Sequence, residues 1–278
     1  YGTIRSSSSL KYIPSELHQL LIPNIDANNF NSIRKLINSI NPDVVVNCIG
    51  VVKQLDDVND PLVTIPINSL LPHQIAKYCL EKNARLIHMS TDCLFTGNKG
   101  MYKEDDIPDA QDMYGITKRL GEVDCINTIT LRTSIIGHEL NGNRSLINWF
   151  LSQEKEVKGF TRAIFSGLPT VEIAKIIRDF ILPNQHLRGV YHLSANPISK
   201  YDLLKLVAKV YQKDINIREY LNEIISSFKE ISKKEFIFNF DQDSNNKKIT
   251  KSIEIVYGLR NFIGNANKFS KKKVFINL

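Results

Sequence analysis

The chain has 278 residues, 42% of them hydrophobic and 23% charged, and its 36 basic and 29 acidic side chains leave a formal charge of +7. That is enough apolar material for one large core, or a core with a smaller lobe, and it excludes disorder as the main state. No apolar run approaches the roughly 20 residues that span a bilayer, no basic-then-apolar leader opens the chain, and Cys48, Cys79, Cys93 and Cys125 lack metal-site spacing, so the expectation is a cytoplasmic protein with no membrane contact, disulfide or metal.

In chain order, "YGTIRSSSS" and "LLIPNIDA" each place small or polar residues after a short apolar run, as strand ends do. "NNFNSIRKLINSI" repeats apolar residues at Phe30, Ile33, Ile37 and Ile40, which is one face of a helix. "NPDVVVNCIG" (41–50) is a β-branched run of the kind buried on both faces of a parallel sheet. The pattern then alternates: "PHQIAKYCLEKN" as helix, "ARLIHMST" as strand, "MYGITKRLGEVDCI" as helix and "NTITLRTSII" as strand. "TVEIAKIIRDFIL", "GVYHLS" and "SKYDLLKLVAKVY" continue it as helix, strand and helix, with Ser199 as the cap of the last. Such alternation predicts an α/β fold with a doubly wound parallel sheet.

The rhythm fades after residue 212. There "FIFNFDQDSNNKKITKS" fits a hairpin around an Asp/Asn turn or a tail, and Lys271, Lys272 and Lys273 fit a solvated run better than a nucleic-acid site, since no aromatic-interleaved basic stripe accompanies them. The expected organisation is a core over 1–134, a substrate-binding lobe over 135–212 with segments returning to the core, and an unassigned region over 213–278.

Ligands of open parallel sheets bind beyond the carboxyl ends of the strands. At one such end stand Ser90 and Thr91, followed by the Gly-, Asp- and Lys-rich stretch "DCLFTGNKGMYKEDDIPDAQDM" and then by Tyr114 and Lys118. A Tyr and a Lys at i and i+4 share a helix face, about 5 to 6 Å apart at Cβ, and a lysine charge there lowers a phenol from its usual value near 10 toward useful acid/base range. A strand-end hydroxyl such as Thr91 completes a set that protonates a carbonyl oxygen. The spacing alone also fits one turn of an ordinary surface helix.

Together, "STDCLFTG", "GMYKEDDIPDAQDMYGITKRLGE" and "LRTSIIG" resemble the extended short-chain dehydrogenase/reductase superfamily, and most closely its dTDP-4-dehydrorhamnose reductase branch, over residues 1 to about 210. The resemblance implies a modified Rossmann fold, a nicotinamide cofactor and a nucleotide-sugar substrate. It makes Thr91 the hydroxyl member, Tyr114 the general acid, and Lys118 the residue that lowers the tyrosine pKa and holds the nicotinamide ribose. Asn47, Cys48, Ile49 and Gly50 resemble the segment along the cofactor, which Ser90 adjoins, while Asp92 and Ile135 fall at substrate positions. Arg5, with Ser6 beside it, stands where a basic residue pairs with a 2′-phosphate, favouring NADPH with NADH as the alternative; an exposed arginine fits equally. Asp26 resembles an acidic position near the adenine, or caps a helix, and Asn68 a position that supports the active-site helix, or again a cap.

Three departures accompany the likeness. The family opens with a strand and a GxxGxxG loop whose helix amino terminus binds pyrophosphate, whereas this chain opens at Tyr1 in what resembles the second strand. The expectation is therefore a piece of a longer protein, with a gap between the neighbours of the absent strand and weak dinucleotide affinity. Ile135 stands where the branch commonly has an aromatic, and the chain beyond 212 does not follow the family's ending. The functions in view are an NAD(P)H-dependent reductase of a nucleotide-linked 4-keto-sugar in deoxysugar and surface-polysaccharide synthesis, an epimerase or epimerase-reductase using the same Tyr and Lys, and a non-catalytic regulatory or nucleotide-binding subunit. A homodimer is the expected assembly.

Overall fold

A computed structural model describes residues 1–154 and 156–211, and beyond them the backbone of four short strands. The chain forms β1 (Gly2–Thr3), β2 (Leu21–Ile22), α1 (Phe30–Ile40), β3 (Val44–Asn47), α2 (Pro61–Thr64), α3 (Leu71–Glu81), β4 (Arg85–Met89), α4 (Met113–Leu120), β5 (Thr128–Arg132) and β6 (Ile135–Ile136). It continues through α5 (Leu146–Ser152), β7 (Ile164–Phe165), β8 (Leu168–Pro169), α6 (Thr170–Ile176), β9 (Gly189–His192), β10 (Ile198–Ser199) and α7 (Lys200–Val210). The last strands are β11 (Ile215–Asn216), β12 (Glu235–Asn239), β13 (Lys248–Ile249) and β14 (Lys273–Asn277).

Two compact units result, one of residues 1–149 and 164–198, the other of residues 150–163 and 199–278. In the first, β3, β4, β5 and β9 lie side by side in that order, all parallel, with Val44 opposite Arg85, Leu86 opposite Thr128 and Ile129 opposite Gly189. Because strand side chains alternate, β4 feeds two cores. Leu86 packs with Ile33, Ile37, Ile75 and Cys79 beneath α1 and α3, while Ile87 and Met89 join Ile129, Leu131, Ile173 and Ile181 on the α6 side. Helices on both faces of a parallel sheet make the fold doubly wound and Rossmann-like, as the sequence alternation predicts.

β1 and β2 form a separate parallel pair that shares no ladder with β3 among the described residues. No helix among the described residues is long and apolar enough to cross a membrane. In the second unit Ser199 does cap α7, its hydroxyl accepting from Asp202 N at 3.0 Å, and Gly159 leaves room for Tyr201, whose ring carbon would stand 2.4 Å from an added Cβ. Over 236–252, where a hairpin or a tail is expected, the two described strands do not pair with each other. β12 pairs in parallel with β14, and β13 antiparallel with β11, so the strand partners come from distant segments; residues 240–247 and 250–252 of that stretch lie outside the described residues.

Two boundaries depart from the periodicity. The helix expected over 113–126 ends at Leu120, because a Cβ on Gly121 would fall 1.8 Å from the Asn68 carbonyl oxygen; only a glycine lets α4 come this close, and the chain then turns away. In the other direction, the helix expected from Pro72 starts eleven residues earlier, at Pro61. Asp60 caps it, accepting from Leu62 N at 2.8 Å, and a π-helical turn over Ile65–Leu70 carries the chain past Pro66, which has no N–H to donate.

Candidate active site

Thr91 leaves the carboxyl end of β4 and Tyr114 and Lys118 stand one turn apart on α4, so the sheet and one helix bring the three together. The helix start is fixed by Asp112, whose Oδ1 accepts from Gly115 N at 2.8 Å while its Oδ2 accepts from Lys53 Nζ at 2.8 Å. Gly115 lies against the loop: an added Cβ would be 2.4 Å from the Ala110 Cβ and 2.8 Å from the Cys93 carbonyl. Thr91 Oγ1 accepts from Cys93 N at 3.1 Å, which turns the chain out of the sheet at this point.

Behind α4 the π-helical turn places Asn68 mid-helix, so it caps nothing. Its Oδ1 accepts from Val51 N at 2.8 Å, and its Nδ2 donates to Val51 O at 3.0 Å and Thr117 Oγ1 at 3.3 Å. Ser69 Oγ adds a bond to Thr117 O at 2.8 Å. The π turn therefore holds both the 47–51 segment and the active-site helix, the supporting place that the resemblance implies for Asn68.

Lys118 is 5% exposed and its Nζ donates to the Met89 carbonyl at 2.8 Å. Burial lowers its pKa to about 8, against the opposing pull of the Glu122 carboxylate and the Cys48 thiol. The expected lowering of the Tyr114 pKa is absent. Burial pushes that phenol up to about 12, with the Thr91 hydroxyl drawing it back and the nearby Cys93, Asp92 and Asp112 adding to the rise. Below Lys118, Asn47 Nδ2 donates to His88 Nδ1 at 3.1 Å; His88 Nε2 has no hydrogen-bond partner, and burial with the nearby Lys118 and His73 charges holds the ring neutral, at about 3.

The other expected positions divide. Cys48 and Gly50 are exposed and Ile49 half-buried, and a Cβ on Gly50 would lie 3.4 Å from Asn68 Oδ1 and 3.9 Å from Lys118 Nζ, ordinary contact distances that place Gly50 beside the lysine. Asn47 is buried, its Oδ1 accepting from Ile49 N at 3.1 Å, and so shapes the segment from within. Ser90 also turns inward, donating to Glu122 Oε1 at 2.8 Å. Asp92 accepts from Ser134 Oγ at 2.5 Å, and Ile135 stands open at 53% exposure. Arg5 and Ser6 are exposed just after β1, and Ser6 Oγ accepts from Ser8 N at 3.2 Å. Asp26 lies after β2 and caps no helix; its carboxylate accepts from Asn28 N at 3.1 Å in the turn before α1. Sequence reasoning missed Lys53, Glu122 and Arg132. The only signals were a Glu after a helix-ending Gly and an Arg closing a strand.

The model of the RmlD substrate binding domain matches residues 6–244. The chain is 29% identical over 201 residues to dTDP-4-dehydrorhamnose reductase of Escherichia coli, the match covering 68% of this chain and 66% of that protein. It is 27% identical over 195 residues to methionine adenosyltransferase 2 subunit beta of Danio rerio, covering 65% and 59%. These matches span just under two thirds of each relative's length or less. Among solved structures, dTDP-4-dehydrorhamnose reductase of Bacillus anthracis in complex with NADP superposes with a TM-score of 0.58 at 21% identity, covering 68% of this chain and 71% of that one, which shows a shared fold.

Proposed function

Because the chain belongs to the RmlD substrate binding domain family, we propose that it is an NADPH-dependent reductase of a nucleotide-linked 4-keto-sugar, working in the cytoplasm in deoxysugar and surface-polysaccharide synthesis. The observation that carries this is one strand end at which Thr91, Tyr114 and a buried Lys118 converge, held from behind by Asn68. The exposed Gly50 lies beside the Lys118 ammonium, where a nicotinamide ribose would sit, with Cys48 and Ile49 along it and Arg5 at the β1 end for a 2′-phosphate. When bound, the cofactor supplies the hydride that reduces the keto carbon. Tyr114, protonated throughout the neutral range, gives its proton to the carbonyl oxygen as that oxygen gains charge, and Thr91 donates a second hydrogen bond to the same oxygen. Lys118 Nζ keeps one donor on Met89 O and has others for ribose hydroxyls. Asp92 and Ile135 line the sugar side.

The test is to follow NADPH absorbance with dTDP-4-dehydrorhamnose as substrate. Stoichiometric oxidation supports the reductase; an altered sugar without net NADPH consumption indicates an epimerase. The likeness to methionine adenosyltransferase 2 subunit beta favours a second reading, a subunit that binds nucleotide in partnership with another enzyme. NADPH binding with no turnover of any keto-sugar would select it. We also propose a homodimer, formed through the exposed apolar residues Leu62 and Ile65 on the helix from Pro61 and Ile116 and Leu120 on α4.

A further inference from the structure

A buried ion pair that the proton transfer does not use joins five segments of the first unit. Arg132, the last residue of β5 and 7% exposed, donates from Nε and Nη2 to the two carboxylate oxygens of Glu122, both at 2.8 Å. Glu122 follows the end of α4 by two residues, and its Oε1 also accepts from Ser90 Oγ at 2.8 Å, one residue before Thr91. The remaining arm of the guanidinium points the other way: Nη1 donates to the Glu104 carbonyl at 3.2 Å and to His192 Nε2 at 3.2 Å. The Phe95 ring covers the guanidinium with its centroid 5.4 Å away, stacks on Tyr102 at 4.3 Å and meets His192 edge-on at 5.8 Å. Glu104 Oε1 closes the circuit by accepting from His192 N at 2.9 Å.

We infer that Arg132 and Glu122 are positioning residues, which fasten the 93–112 loop and the end of α4 to the strand ends and thereby hold Thr91 and Tyr114 in register without touching substrate. A buried pair is weak evidence for stability in itself, because desolvation offsets its attraction. The geometry here does something an apolar pair cannot. A planar fork holds a carboxylate in one orientation while its third nitrogen reaches a carbonyl on the far side, so one rigid group fixes the distance between α4 and the loop that precedes it. Tyr114 lies in the first turn of α4 and Thr91 just before the loop, so an error in that distance appears between the two groups that share the substrate oxygen.

What the fastening serves rests on the reductase proposal; the fastening itself does not, and two measurements separate them. Hydrogen exchange is compared for the wild type, Arg132→Met, Arg132→Lys and Phe95→Leu, the last leaving the ion pair intact, alongside NADPH oxidation with dTDP-4-dehydrorhamnose. In Arg132→Met, amides of the 93–112 loop should exchange at least about 10-fold faster while those of β4 and β5 keep their protection. Its kcat should fall about 10- to 100-fold with little change in KM, the signature of misplacement rather than lost binding. Arg132→Lys should recover part of both effects, and Phe95→Leu should loosen the loop to a smaller degree, which also decides the matter should Arg132→Met fail to fold. Exchange that rises uniformly over loop and sheet, or a loosened loop with unchanged kcat, overturns the inference. A wild type without turnover whose variants nonetheless loosen the loop alone overturns the reductase proposal and leaves the fastening standing.

Discussion

Tyr114 and Lys118 were legible as a pair from their spacing, but their electrostatics were not, because spacing carries no information on burial. A phenol pushed up to about 12 stays protonated at neutral pH but is a weaker acid than a free tyrosine, so its proton moves only as the substrate oxygen gains charge. Tyr114→Phe should therefore lower kcat about 10²- to 10⁴-fold while leaving substrate affinity nearly intact, and steady-state NADPH oxidation checks it; an unchanged kcat removes Tyr114 from the mechanism. Lys118 makes a thermodynamic prediction independent of activity. The unfolded chain keeps this proton up to the ordinary 10.5, whereas the folded chain releases it near 8. Between those values the unfolded state binds more protons, so stability rises with pH; below about 8 both states hold the proton and the burial penalty is constant. Lys118→Met should accordingly be the more stable protein at pH 7, by an amount on the order of 1–3 kcal/mol, and should lose that advantage as pH rises toward 10.5. Urea titrations at several pH values measure it, and a difference that does not vary with pH would show that the lysine is not buried as a cation. Arg5 is exposed after β1, and its replacement by Ala should weaken NADPH binding by about 1.5 to 3 kcal/mol while sparing NADH, as calorimetry would report. Equal losses for both cofactors would make Arg5 a surface residue.

The strands β3, β4, β5 and β9 and the helices α1, α3, α4, α6 and α7 were readable in the alternation of periods, whereas α2, α5 and the two-residue strands β7, β8 and β10 were not. What escaped is set by contacts between elements distant in sequence. The continuation of a helix through Pro61 and Pro66 depends on a π turn whose Asn68 is satisfied by Val51 and Thr117, and no local pattern announces that. The stop at Leu120 likewise depends on the Asn68 carbonyl lying against Gly121. Gly121→Ala tests this at the level of the element. Its Cβ would meet that backbone oxygen at 1.8 Å, and a main-chain atom within a helix cannot swing aside as a side chain can. The two helices must separate, which should cost about 1–3 kcal/mol as overpacking does, and should also displace Lys118 and Tyr114. Chemical denaturation should show the loss, with a fall in kcat beyond that of a surface Gly-to-Ala change. Retention of both stability and rate would mean that α4 can ride outward without consequence. Ser90 and Arg132 belong to the same class: each closes a legible strand, but which way its side chain turns is decided by Glu122, a partner from another segment.

At the scale of the whole molecule, most of the +7 charge falls after residue 212 and marks no partner for the first unit, so its association is read from the apolar surface. Single exposed apolar residues are ordinary, and most of those on this chain need no explanation. The helix from Pro61 and α4 differ in presenting theirs together: Leu62 is 83% exposed, Leu120 is 58% exposed, and Ile65 and Ile116 are exposed between them. The residues repeat at i, i+3 on one helix and i, i+4 on the other, which is the spacing of a continuous helical face. Two such helices meeting their copies about a twofold axis would bury the row in a self-complementary interface, and the inward sides of the same helices carry Asn68, Tyr114 and Lys118. Assembly would then stiffen the support of the active site from behind. Sedimentation velocity over a range of protein concentrations should find a dimer for the wild type and a monomer for the double variant Leu62→Glu, Leu120→Glu, with a melting temperature nearly unchanged because neither leucine contributes to the core. If the wild type sediments as a monomer at every concentration, the exposed row is surface only, and α4 is held by contacts within the chain: the π turn with Asn68 and Ser69, and the Glu122–Arg132 pair.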